Sequence, residues 1–466
     1  MSRLPAVVAT AALGLGALVA PQAAADPYYP LDGNHGYDVQ HYRVVDHYRP
    51  GSDRLEGVTV LRATAHRELS SFHLDLVLAP DRVSVDGHRA SFTKPSRHEL
   101  RVVLAHALHR GDTFTVRVRY HGRPATVRAE GMAPNSDLYF HRPGETIAMG
   151  EPQNAPWWFA ANETPVDKAT YDISVLVPKG RQVVSNGELV SRRTRAGWTR
   201  WHWRMSDPMV TYLAFFAAGR FHLERGEVDG RPYVYAVSRL MDQAAQDRSM
   251  SLLEQTGAVV SWLQSKFGAY PFTSVGGVIS GLPLPYALET QSRPVYGYSD
   301  GPDAYSIGLL VHEEAHQWFG DDVSLRRWRD VWLNEGFATY AEWLYAQDHG
   351  GPSLRDHLRE AYDAHPAGDG FWDVQVSDPG PADMWNNPVY VRGAMTLAAL
   401  GERVGDAAVG TMLRRWAHRR QFGHGTGPAF RRLAEQVTGQ DLTAFFGRWL
   451  DASRRPADTT ANGLGS

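Results

Sequence analysis

The sequence predicts an α+β protein, with a β-rich N-terminal half followed by a mostly helical C-terminal half. Three observations predict it. Short runs of alternating apolar and polar side chains, separated by Gly and Pro, fill the chain up to about residue 220. From Met241 onward apolar residues recur close to the 3.6-residue period of a helix. The second half also carries His312-Glu313-Glu314-Ala315-His316, whose two imidazoles fall one turn apart on one helix face.

Taken in order, residues 1–25 read as a signal peptide. A basic start at Arg3 precedes an apolar stretch over 4–20, and the small residues Ala23-Ala24-Ala25 place cleavage before Asp26. An uncleaved anchor is the competing reading, but the apolar run is short of a bilayer's thickness and is interrupted by Pro5. The expectation is a secreted, extracellular protein with no stable membrane association after cleavage. Residues 26–220 form the β-domain, with strands expected at 58–64, 72–76 and 114–120, a hairpin turn at Asp86-Gly87 and a buried closing strand at 211–218. Residues 221–450 form the second domain, with helices expected over 241–267, 304–318, 334–348, 391–404, 407–418 and 427–437. Residues 451–466 read as a flexible tail.

The chain has 466 residues, 43% hydrophobic, enough for two or three domains with a large core. Its net charge of −3 argues against a nucleic-acid or anionic-membrane partner, which calls for a basic excess. There is no cysteine, so no disulfide forms, and any metal site must use His, Asp or Glu.

His312 and His316 can share one ion, and zinc accepts imidazole nitrogen at about 2.0–2.1 Å. Catalytic zinc takes a third protein ligand, and Glu335, 19 positions after His316, can supply it from the first turn of a second helix capped by Asn334. Glu313, beside the first ligand, is placed to face a water rather than the ion. A chain with 20 His could carry such a segment on a solvated surface helix, and the correctly spaced Glu335 weighs against that alternative.

The flanking residues add a resemblance. His-Glu-Glu-Ala-His-Gln-Trp-Phe-Gly at 312–320 and Trp-Leu-Asn-Glu-Gly-Phe-Ala at 332–338 resemble the two zinc motifs of the aminopeptidase N family, the gluzincin zinc aminopeptidases. Asp26 to Val39, and Ala155-Pro156-Trp157-Trp158-Phe159 with Asp167-Lys168-Ala169, resemble its short secreted bacterial members, and the large C-terminal helical domain of longer members is expected to be absent. The resemblance implies a β-saddle followed by a thermolysin-like catalytic domain. It also implies one Zn2+ on His312, His316 and Glu335, and peptide substrates with a free N-terminus. Glu289, in Tyr286-Ala287-Leu288-Glu289-Thr290, stands where the family binds the substrate's α-amine, although Gly, Met and Asn of that motif are replaced. Gln153 matches a position that assists. Tyr390 stands where the family has its catalytic tyrosine, with Arg392 in place of the motif's lysine. The activity implied is hydrolysis of the N-terminal peptide bond by a zinc-activated water, with Glu313 as general base and Tyr390 at the oxyanion. A zinc endopeptidase, an epoxide hydrolase like one branch of the family, and an inactive peptide-binding module on the same fold remain as alternatives.

Overall fold

A computed structural model describes residues 26–127, 138–297 and 306–465; the expected signal peptide lies outside the described residues. The N-terminal half is β throughout. Ten strands form one sheet, antiparallel except where Tyr37–Arg49 runs parallel to Ala169–Pro178. The alternation seen in the sequence is the cause of its two faces. In Thr113–Gly122, Phe114, Val116, Val118 and Tyr120 are buried, while the intervening Thr115, Arg117, Arg119 and His121 are exposed. Asp86 and Gly87 join Ala79–Val85 to His88–Thr93, both with positive φ (49° and 83°), as a two-residue hairpin turn requires.

A four-stranded sheet that includes Glu145–Ala148 and Phe216–Gly219 underlies the large one. The closing strand expected at 211–218 is shorter than predicted, because Thr211–Leu213 turns as a 3-10 segment before the strand begins at Phe216. The chain then leaves these sheets and starts another at Phe221–Val228. There Arg231–Ser238, Val275–Ile279 and Val295–Tyr296 lie parallel to one another.

Eight helices of eight or more residues follow among the described residues: α1 (Gln243–Leu253), α2 (Thr256–Phe267), α3 (Ile307–His316), α4 (Trp332–Asp348), α5 (Leu354–Ala364), α6 (Asn387–Val404), α7 (Asp406–Arg419) and α8 (Gly427–Thr438). The single stretch expected over 241–267 is two helices, separated at Glu254 and Gln255. No described helix is long and apolar enough to cross a membrane. Helices α4 and α6 cross at a glycine pair. A Cβ on Gly336 would sit 2.8 Å from the Gly393 Cα, a spacing no side chain tolerates, so this pair sets how close the two backbones come.

The last residues are packed, not loose. The Trp449 indole donates to the Asn462 carbonyl at 3.0 Å, the Asn462 amide donates to the Ala457 carbonyl at 2.7 Å, and Leu464 is buried. The polar composition of 451–466 suggested a free end, but these buried anchors tie it to the helical half.

Candidate active site

Helix α3 begins with the Ser306 hydroxyl accepting from the Leu309 N–H, and its inner face carries His312 and His316, ring centroids 4.8 Å apart. Helix α4 brings Glu335 against them. It starts at Trp332, straight out of the 3-10 turn Trp328–Asp330, so the expected N-cap Asn334 is instead a buried residue of the first turn. Glu335 Oε2 lies 3.3 Å from His312 Nε2 and 3.5 Å from His316 Nε2. Ligands bound tetrahedrally at 2.0–2.1 Å stand about 3.3 Å apart, so Glu335 lies at zinc-ligand spacing from both imidazoles, and the three ligand atoms all fall within 4.8 Å of one another.

The opposite ring nitrogens fix the tautomers. His312 Nδ1 donates to Glu342 Oε1 at 2.6 Å, and His316 Nδ1 donates to the Phe319 carbonyl at 3.0 Å. With Nδ1 of each ring committed in this way, Nε2 is the atom that faces Glu335, the arrangement metal-binding histidines adopt. The Phe319 carbonyl is available because α3 ends at His316 and the chain folds back through Gly320, whose φ of 135° favours glycine.

The electrostatics of the cluster are those of a cation site. Burial would raise the Glu335 carboxyl, yet His316 and His312 pull it down to about 2. Burial would lower His316, yet Glu289 and Glu335 push it up to about 9. Glu313 points into the same space, and burial, only partly offset by the two histidines, pushes it up to about 8. A divalent cation beside it opposes that rise.

Glu289 sits on the segment between Val275–Ile279 and Val295–Tyr296, where Leu288 pairs with Val295 through two 2.8 Å hydrogen bonds. Gln317 fastens that segment to the end of α3: its amide donates to the Glu289 carbonyl at 3.0 Å and accepts from the Ser292 N–H at 2.6 Å. Glu289 is 3% exposed, its Oε1 has no partner, and burial raises its carboxyl. Tyr390, on α6, holds its ring 6.2 Å from that of His312. Burial, then Glu335 and Glu151, push its hydroxyl well above the usual range, so it remains a proton donor.

These groups line one cavity of about 800 Å³. The structure places His312, His316, Glu335, Glu313, Glu289 and Tyr390 there together. Gln153 is not among them. Its amide donates to Asp32 Oδ2 at 2.6 Å, beside the buried His98 that pairs with Asp32 and Asp75. Glu151, two residues earlier, lines the cavity in its place. Glu342, which orients His312, follows Glu335 by seven positions, two turns along the same helix face, and that spacing is a readable signal. Arg392 lies outside the cavity: its guanidinium donates to the carbonyls of Trp372, Val374, Arg448 and Ala452, fixing α6 to the C-terminal segment.

Residues 62–213 match the model of the peptidase M1 N-terminal domain, and residues 300–449 match that of the peptidase family M1 domain. The chain belongs to peptidase family M1. Over 350 residues it is 26% identical to aminopeptidase N of Streptomyces lividans, an alignment covering 66% of this chain and 38% of that protein. It is 29% identical over 242 residues to glutamyl aminopeptidase of Rattus norvegicus, covering 47% of this chain and 25% of the relative. The chain thus spans well under half the length of these curated relatives. The crystal structure of an M1 zinc metallopeptidase from Deinococcus radiodurans matches with a TM-score of 0.81 at 25% identity, covering 94% of this chain and 99% of that one. Two histidines and a carboxylate at ligand spacing, in this family, make the metal zinc.

Proposed function

We propose that the protein is a secreted zinc aminopeptidase that removes the first residue of peptides with a free N-terminus. The observation that carries this reading is the buried Glu289 carboxylate, whose Oε1 has no partner, on the wall of the cavity that holds the metal ligands. A carboxylate taken out of water with a free oxygen calls for a cation, and a substrate's α-ammonium supplies one.

Zinc held by His312, His316 and Glu335 would supply a Lewis acid for the peptide carbonyl and would lower the pKa of a water toward about 7. Glu313 takes the proton of the attacking water and passes it to the departing amine. Tyr390, kept protonated by burial and by its acidic neighbours, donates its O–H to the carbonyl oxygen as negative charge develops there. Glu289 accepts from the α-ammonium and sets the register at one residue. Glu342 and the Phe319 carbonyl hold the two imidazoles in their ligating tautomer.

The test is Glu289→Ala against a free-amine peptide and its desamino analogue. kcat/KM for the free amine falls by roughly 10–150-fold, the worth of a charge-assisted hydrogen bond, while the analogue's slow cleavage changes little. Equal losses on both would remove the amine-binding role. Export rests on the sequence of residues 1–25, and N-terminal sequencing of protein from the culture medium is expected to begin at Asp26.

A further inference from the structure

The chain's net charge of −3 is unevenly placed. Five glutamates line the cavity that holds the metal ligands, with no lysine or arginine among its described residues. The exposed face of the ten-stranded sheet is the reverse, because the strand register lays arginines side by side across it. Arg204, Asp172, Arg43, Val60 and Arg117 are successive partners on five neighbouring strands, and Arg62, Arg119 and Arg200 stand in nearby rows. The carboxylates beside them are already matched. Asp172 meets His202 at 2.6 Å and Arg204 at 3.0 Å, Glu56 pairs with Arg49 and Arg54 at 2.9 Å each, and Asp81 pairs with His121 at 2.7 Å. Arg43, Arg62, Arg117, Arg119 and Arg200 are exposed and make no ion pair among the described residues. A groove of about 600 Å³ opens on this face, with Arg119 and Arg200 on its walls.

We propose that this sheet face binds a linear polymer of phosphate groups, seated in the groove. Like charges on one sheet face repel, and no acid among the described residues pairs with these five guanidinium groups, so a ligand supplies the matching charge. The planar fork of arginine meets phosphate oxygens two at a time. Side chains on one face of a strand recur about every 6.8 Å, and neighbouring strands lie about 4.8 Å apart, so a chain of closely spaced phosphates engages several arginines at once. A lipid bilayer fits less well. Val103, Val190 and Leu240, the large apolar residues exposed among the described ones, lie outside these rows, so no side chain there enters an acyl layer. Single-stranded nucleic acid also fits less well, because these rows hold no Phe, Tyr or Trp for bases to stack on. The groove shares no residue with the cavity of the metal ligands, so docking leaves that cavity free.

The test titrates the whole protein into fluorescently labelled inorganic polyphosphate and follows anisotropy. The sheet variant combines Arg117→Gln, Arg119→Gln and Arg200→Gln. A control variant, Arg415→Gln with Arg419→Gln and Arg432→Gln, removes the same charge from exposed positions of α7 and α8. With three phosphates contacted, the wild-type binding constant falls roughly 20-fold between about 50 and about 200 mM salt. The sheet variant should bind at least about tenfold more weakly at the lower salt and with a shallower salt dependence, while the control stays within about threefold of wild type. All three proteins should share one Tm, since the substituted side chains are exposed, so a loss in the sheet variant reads binding and not folding. No wild-type binding at the lower salt, or equal losses in the two variants, overturns the proposal. So does binding to phosphatidylglycerol vesicles without binding to polyphosphate.

Discussion

Glu342 is the residue through which the zinc site is most open to a graded test. Its Oε1 accepts from His312 Nδ1 at 2.6 Å, a short, charge-assisted bond that holds the ring's Nε2 toward the metal. Losing such a partner costs about 10–100-fold in metal affinity, or ~1.4–2.7 kcal/mol. The Glu342 side chain is 31% exposed, so water screens part of its charge, and the lower part of that range applies: ~10–30-fold for Glu342→Ala. Glu342→Gln keeps an acceptor but not the charge, and a loss of ~3–10-fold follows. Apo-protein is titrated with zinc against a chromophoric chelator of known affinity, and turnover is then measured at saturating zinc. Affinity should fall in the order wild type, Gln, Ala, while turnover per bound zinc stays within a few-fold of wild type. Wild-type zinc affinity in Glu342→Ala would refute the orienting role.

Other perturbations separate the remaining parts. Glu313→Gln keeps its zinc and loses nearly all turnover, whereas Tyr390→Phe keeps its zinc and loses about 10²–10³ in kcat; near-normal rates in either would cancel that residue's role. Arg392→Met removes the donor from four carbonyls, one buried and three part-buried, and should cost about 3–5 kcal/mol, lowering the calorimetric Tm by roughly 6–20 °C, and an unchanged Tm would contradict its clamping role. His424 is pushed down to about 3 by burial and then by Lys168, Arg326 and Arg420. The unfolded chain therefore binds a proton near pH 6.5 that the folded one refuses until about pH 3, so stability falls as pH drops through that interval. In urea titrations of zinc-stripped protein, His424→Gln should flatten this acid-side loss relative to wild type.

The metal site was legible in the sequence because its geometry is local. An i, i+4 pair on a helix shares a face whatever the tertiary context, and Glu335 lies within one loop of it. By the same rule Glu342, seven residues after Glu335, was readable. Helix α5 also announces itself, through the Ser353 and Asp356 capping box, but no helix was expected there. Gln153 and Glu151 show where such reasoning stops. They lie on an irregular segment with no period to say which side chain faces inward, and the bond from Gln153 to Asp32 is set by tertiary packing that the local sequence does not show. The tail was misjudged for a related reason. Polar composition marks a segment as soluble, but Asn462 is bonded and buried by partners that are set in three dimensions.

Whether cleavage depends on metal and requires a free N-terminus is decided by following one short peptide and its N-acetylated twin by mass spectrometry, each with and without a zinc chelator. Stepwise loss of single residues from the free peptide alone, abolished by the chelator and restored by zinc, is the predicted result. Internal cleavage of both peptides at comparable rates would contradict it.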